Sequence, residues 1–121
     1  MDDDVDICMI SKGILEYLGY QADTALDGED ALAKFRRQLE LGHPYAAVIL
    51  DLTMAKGLGG ADVLHEMQQL QPEVKAIVSS GYATEENAPR YQEMGFTAIL
   101  AKPYRSSDMS RALREIIAPP S

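Results

Sequence analysis

The chain has 121 residues, 46% hydrophobic and 25% charged, the composition of one globular domain able to bury a core of its own. A formal net charge of −8 argues against direct binding to nucleic acid or anionic lipid, and no apolar run approaches the roughly 20 residues a membrane helix needs. The single Cys8 excludes an internal disulfide, and the chain opens on Met1 and three aspartates with no basic-then-apolar leader, so a cytoplasmic location is expected.

Asp2, Asp3 and Asp4 precede Ile7, Ile10, Ile14 and Leu18, whose spacing marks one face of a helix that Gly19 stops. Residues 20–26 read as a short strand, closed by the Asp27-Gly28 turn. A second helix turns Leu32, Phe35 and Leu39 inward and Arg36, Arg37 and Glu40 outward, ending near Gly42. His43-Pro44 is a connector, and His43 and His65, far apart and without a neighbouring Cys, make a zinc site improbable. Residues 46–54, A-A-V-I-L-D-L-T-M, are a continuous apolar run ended by Asp51 and followed by Gly57, Gly59 and Gly60, the pattern of a strand buried on both faces.

A third helix carries Val63, Leu64, Met67 and Leu70, and Pro72 forbids its continuation. Residues 74–80 form another apolar strand ending in Ser79-Ser80-Gly81. Residues 84–95 are a weaker helix, its regular part starting near Asn87 as cap with Pro89 in the first turn. The last strand, residues 97–101, runs into Lys102-Pro103. The final helix turns Met109, Leu113, Ile116 and Ile117 inward and stops before Pro119-Pro120. Residues 1–118 are therefore read as the domain and 119–121 as a tail.

Strands alternating with helices of this size predict a parallel sheet covered on both faces. Ligands of such sheets sit beyond the carboxyl ends of the strands, and three strand ends deliver Asp51, Ser80 and Lys102 to one edge. Each has a plain alternative: Asp51 as a strand-end turn residue, Asp2, Asp3 and Asp4 as helix caps, Ser80 as an ordinary hydroxyl, Lys102 as a solvated surface charge; read functionally, a truncated Lys102 is expected to impair the phosphate response more than folding. Together they describe chemistry. Clustered carboxylates repel one another, and a hard divalent cation such as Mg²⁺ relieves that repulsion. A phosphoryl group can then approach Asp51 as nucleophile, with Lys102 and the Ser80 hydroxyl holding its oxygens.

The acidic cluster before the first helix, V-I-L-D-L-T-M, V-S-S-G-Y and A-K-P-Y resemble, across nearly the whole chain, a receiver domain of a bacterial two-component response regulator. The wording D-L-T-M…G-L-G-G and S-S-G-Y is most similar to receivers fused to hybrid sensor histidine kinases. The resemblance implies a flavodoxin-like three-layer α/β sandwich with parallel strand order 2-1-3-4-5. By position it implies Asp51 as phospho-acceptor, Ser80 as switch hydroxyl and Lys102 as the phosphate-pairing lysine. Asp2, Asp3, Asp51 and the Thr53 backbone carbonyl would hold Mg²⁺. The donor would be a phosphohistidine on a histidine kinase or histidine phosphotransfer domain. The domain itself would be an acceptor and not an enzyme, with residues 84–95, the last strand and the final helix as output surface.

Three departures stand out. Ala55 replaces the family's usual Pro, and Ile99 the frequent Tyr or Phe three residues before the lysine. Only Met1 precedes the acidic pair, so the family's first strand is missing from these 121 residues. For the slot left between residues 20–26 and 46–50 the expectation is that the native chain begins upstream, that the slot closes by rearrangement, or that another molecule lends a strand, through a homodimer, strand exchange or edge pairing. Asp2 and Asp3, being terminal, are expected to be poorly positioned, with weakened metal affinity. The rival function is a pseudo-receiver that binds partners without phosphorylation. A haloacid-dehalogenase-like phosphohydrolase would want Asp at position 53, where Thr53 stands.

Overall fold

A computed structural model describes residues 1–52, 59–81, 86, 88–102 and 104–117. Thr53, Ala55, the Asn87 cap, much of the loop before it and the 119–121 tail lie outside the described residues. The elements are α1 (Val5–Tyr17), α2 (Gly28–Glu40), β1 (Val48–Asp51), α3 (Gly60–Leu70), β2 (Ala76–Ser80), α4 (Ala88–Met94), β3 (Ala98–Ala101) and α5 (Ser106–Ile116).

The strands β1, β2 and β3 lie side by side in that order, all parallel. β2 is central and buried at every residue, as an uninterrupted apolar run requires when helices cover both faces. Its period of two divides the core. Ala76 and Val78 pack with Leu32 and Phe35 of α2 and Val63, Leu64 and Met67 of α3. Ile77 packs on the other face with Leu100 and with Met109, Leu113 and Ile116 of α5. Each strand reaches the next through a helix, the connection that parallel pairing demands. This is the three-layer, flavodoxin-like arrangement expected, with the described ladder forming the 3-4-5 portion of the 2-1-3-4-5 order.

Two expectations need correction. Residues 20–26 form no strand ladder. Among the described residues, only Met1 and Asp2 stand beyond β1 on that side. The Met1 amine donates to the Ile49 carbonyl at 2.7 Å and the Asp51 amide donates to the Met1 carbonyl at 3.1 Å, while the Asp2 amide donates to Ala25 at 3.1 Å. Burial pushes the pKa of that amine down. A two-residue neighbour supplies a single rung to residues 20–26, which side chains hold in place instead. The Tyr45 hydroxyl donates to Asp23 at 2.5 Å, and the Lys34 ammonium donates to the Thr24 carbonyl. Below Met1 the slot persists as a cavity of about 180 Å³ between residues 20–25 and β1, so it is not closed by rearrangement.

The second correction concerns α1. Asp4 caps it, accepting from the amides of Asp6 and Ile7. Its inward face takes in Ile14 of the isoleucine stripe but not Ile10. Cys8 is the buried residue and Ile14 and Leu15 lie against the α5-side core, whereas Ile10 is 59% exposed. Leu70 on α3 is also exposed.

Candidate functional site

Asp51 is the last residue of β1 and is 2% exposed, its amide held by the Met1 carbonyl. The run V-I-L makes the strand, and Gly60, the first residue of α3, packs against its end. A Cβ built on Gly60 would stand 2.7 Å from the Asp51 carbonyl oxygen, so only glycine lets the helix approach this closely.

The same Met1 bonds that register the amino end on β1 place Asp2 beside Asp51. Asp2 is 6% exposed; one of its carboxylate oxygens accepts from the Asp4 amide at 3.0 Å, and its carbonyl accepts from the Cys8 thiol at 3.2 Å. Asp3 completes the group: one oxygen each from Asp2, Asp3 and Asp51 lie within 4.8 Å of one another. The expectation that the terminal aspartates would be poorly placed is thus corrected for Asp2, which is anchored at its amide, carbonyl and carboxylate.

β3 delivers Lys102. Its ammonium donates to Asp2 Oδ2 at 2.7 Å and to Asp51 Oδ2 at 3.1 Å. Burial alone would lower the lysine pKa, but the hydrogen bonds from Asp2 and Asp51 and their charges outweigh it, and the ammonium is held above its ordinary value. Ser80 ends β2, fully buried, and its carbonyl accepts from the Lys102 amide at 3.0 Å. The register sets Asp51 level with Ser79, one residue short of Ser80, and the buried Ser79 hydroxyl has no hydrogen-bond partner among the described residues. Thr53 lies outside the described residues.

Three carboxylates and one ammonium at the carboxyl edge of a parallel sheet form a charge-poised pocket. The all-oxygen donor set, with spacings that one small ion can span, fits a hard divalent cation with retained waters. Lys102 bridges two of the same carboxylates, so it and a cation compete for them.

The structure brings together Asp51, Lys102 and the acidic pair singled out in the sequence; the close approach at Gly60, Tyr45 and the Ser11–Tyr104 hydroxyl contact that joins α1 to the segment after Lys102 were not foreseen. A glycine pair shortly after an apolar-run carboxylate was the available signal for Gly60. Nothing in the local pattern pointed to the other two.

The fold and site define a flavodoxin-like α/β domain with an acidic, lysine-bridged pocket at the strand ends. The chain belongs to the response regulator receiver domain family, whose model matches residues 1–114. It is 28% identical over 118 residues to the transcriptional regulatory protein ZraR of Salmonella typhimurium, covering 98% of this chain and 25% of that protein. It is also 28% identical to the sensor kinase CckA of Brucella abortus, over 97% of this chain and 12% of that one. Among solved structures, the response regulator TrrA of Thermotoga maritima in complex with Mg²⁺ and beryllofluoride superposes with a TM-score of 0.78 at 26% identity, covering 96% of this chain and 94% of that one. The chain thus spans about a quarter of ZraR's length and less of CckA's.

Proposed function

We propose that the domain accepts a phosphoryl group on Asp51 from a phosphohistidine of a histidine kinase or histidine phosphotransfer domain, within a cytoplasmic two-component relay. The observation that carries this reading is the position of Asp51: buried at the end of β1, against two further aspartates, with the Lys102 ammonium on its carboxylate. One Asp51 oxygen attacks phosphorus as the bond to the histidine nitrogen breaks. The nitrogen keeps the electron pair and takes a proton from solvent, and Asp51 becomes an acyl phosphate.

Asp2, Asp3 and Asp51, with the Thr53 carbonyl by family similarity, would hold Mg²⁺, which when bound neutralises carboxylate charge that would repel the incoming group. Lys102 then turns from Asp2 and Asp51 to a phosphoryl oxygen, a charge-assisted bond that holds the product. Ser80 takes a second oxygen and couples the site to the output surface over α4, β3 and α5. At Ile99, half-buried against the core, no aromatic ring can report the change. Similarity to part of a sensor kinase supports a hybrid-kinase setting for this domain.

Radiolabelled acetyl phosphate tests the reading. Wild-type protein takes up label with Mg²⁺ and loses that ability in chelator, and Asp51→Asn takes up none. A phosphorylation-independent interaction module would show no Mg²⁺-dependent uptake in either.

A further inference from the structure

We propose that Tyr104 is a positioning residue for this site, acting through its hydroxyl contact to Ser11; the inference rests on the receiver reading above. Helix α1 grips Asp2 twice, through the Asp4 amide on its carboxylate and the Cys8 thiol on its carbonyl. The other Asp2 oxygen holds the Lys102 ammonium. Two residues past Lys102, the half-buried Tyr104 hydroxyl meets Ser11, one helical turn beyond Cys8. The result is a closed ring running from α1 through Asp2, Lys102 and Tyr104 back to α1.

The two ties between α1 and the Lys102 segment differ in one respect. The Asp2–Lys102 bond must be given up when Asp2 turns to a cation and Lys102 to a phosphoryl oxygen. The Ser11–Tyr104 contact involves neither functional group, so it survives the exchange and keeps the lysine's backbone against α1 while its side chain is re-aimed. Beside it, the Lys102 amide is held by the Ser80 carbonyl and the Tyr104 ring lies against the α5-side core. Holding a reacting group in place is itself a contribution to binding the transferred group.

The test uses the whole 121-residue chain and beryllofluoride with Mg²⁺ as the phosphoryl mimic, with Mg²⁺ alone and urea stability measured beside it. Tyr104→Phe and Ser11→Ala should each weaken beryllofluoride by about three- to tenfold, the loss of one hydrogen bond. The double variant should be no weaker than either single, and Ser11→Thr, which restores a hydroxyl, should bind as wild type. Mg²⁺ affinity alone should stay within about twofold, since Tyr104 touches no carboxylate of the cluster. Losses that add in the double variant, losses that merely track urea stability, or unchanged beryllofluoride binding would overturn the positioning role. Asp51→Asn separates the two levels: if it binds beryllofluoride as wild type does, the receiver reading fails and the positioning role falls with it. Asp51-dependent binding that ignores Tyr104→Phe overturns the positioning role alone.

Discussion

Replacing Lys102 by methionine keeps the length of the side chain and removes the charge between two buried carboxylates. Asp51 and Asp2 are 2% and 6% exposed, and the ammonium lies 3.1 and 2.7 Å from their oxygens. Removing one member of a buried ion pair costs about 3–5 kcal/mol, because the remaining charge stays buried without its partner. The Lys102 side chain keeps 19% of its exposure, so water reaches the pocket and about 3 kcal/mol is the figure to expect. That is a large share of the roughly 5–15 kcal/mol by which domains are stable. Lys102 therefore carries more of the fold than a solvated strand-end lysine would.

The assay is urea denaturation at pH 7 in chelator, repeated with Mg²⁺. In the wild type the cation competes with the lysine; in the variant it does not, and it relieves the exposed repulsion. Each tenfold gain in affinity adds about 1.4 kcal/mol of stabilisation at saturating metal, so Mg²⁺ should stabilise Lys102→Met more than wild type. A variant within about 1 kcal/mol of wild type in chelator, or equal stabilisation of both proteins by Mg²⁺, would refute the argument.

Asp3→Ala should weaken Mg²⁺ by roughly tenfold, since it removes one of three clustered ligands. Asp27→Ala, which takes away the α2 cap on the Asp30 amide, should cost stability but leave titrated Mg²⁺ affinity unchanged. Gly60→Ala should destabilise by about 1–3 kcal/mol and lower phosphoryl uptake per folded molecule, because its methyl meets the Asp51 backbone. Gly59→Ala, with open space around its Cβ, should do neither when urea midpoints and label uptake are compared. The Tyr45 phenol is pushed above its ordinary pKa by burial and by its bond to Asp23. A raised value means that its stabilising contribution is complete below about pH 10 and is lost as pH climbs through the folded-state value. Urea midpoints should thus fall more steeply above about pH 10 in wild type than in Tyr45→Phe, and parallel curves would contradict this.

Asp51 and Lys102 were legible because each ends an apolar run, and a parallel sheet sends such ends to one edge. The acidic pair was legible as a cluster, but not its anchoring, which comes from three backbone bonds between Met1, Asp2 and distant carbonyls and amides. The face of α1 was only partly legible: Ile14 does pack inward, but the isoleucine spacing left no inward place for Cys8 and Ser11. In the fold, Cys8 finds the Asp2 and Ala25 carbonyls and Ser11 finds Tyr104, so the less apolar residues turn inward and Ile10 stays outside. Residues 20–26 have strand composition, yet a ladder needs a neighbouring strand, and among the described backbone bonds they accept a single rung, from the Asp2 amide.

The central claim is that the transferred group ends on the Asp51 carboxylate, and mapping its location tests that most directly. After incubation with acetyl phosphate and Mg²⁺, borohydride reduction converts an aspartyl phosphate to homoserine, which peptide mass spectrometry locates. The account predicts homoserine at position 51 alone, absent when Mg²⁺ is chelated. Homoserine at another aspartate, or label retained by a serine or histidine with position 51 unmodified, would contradict it.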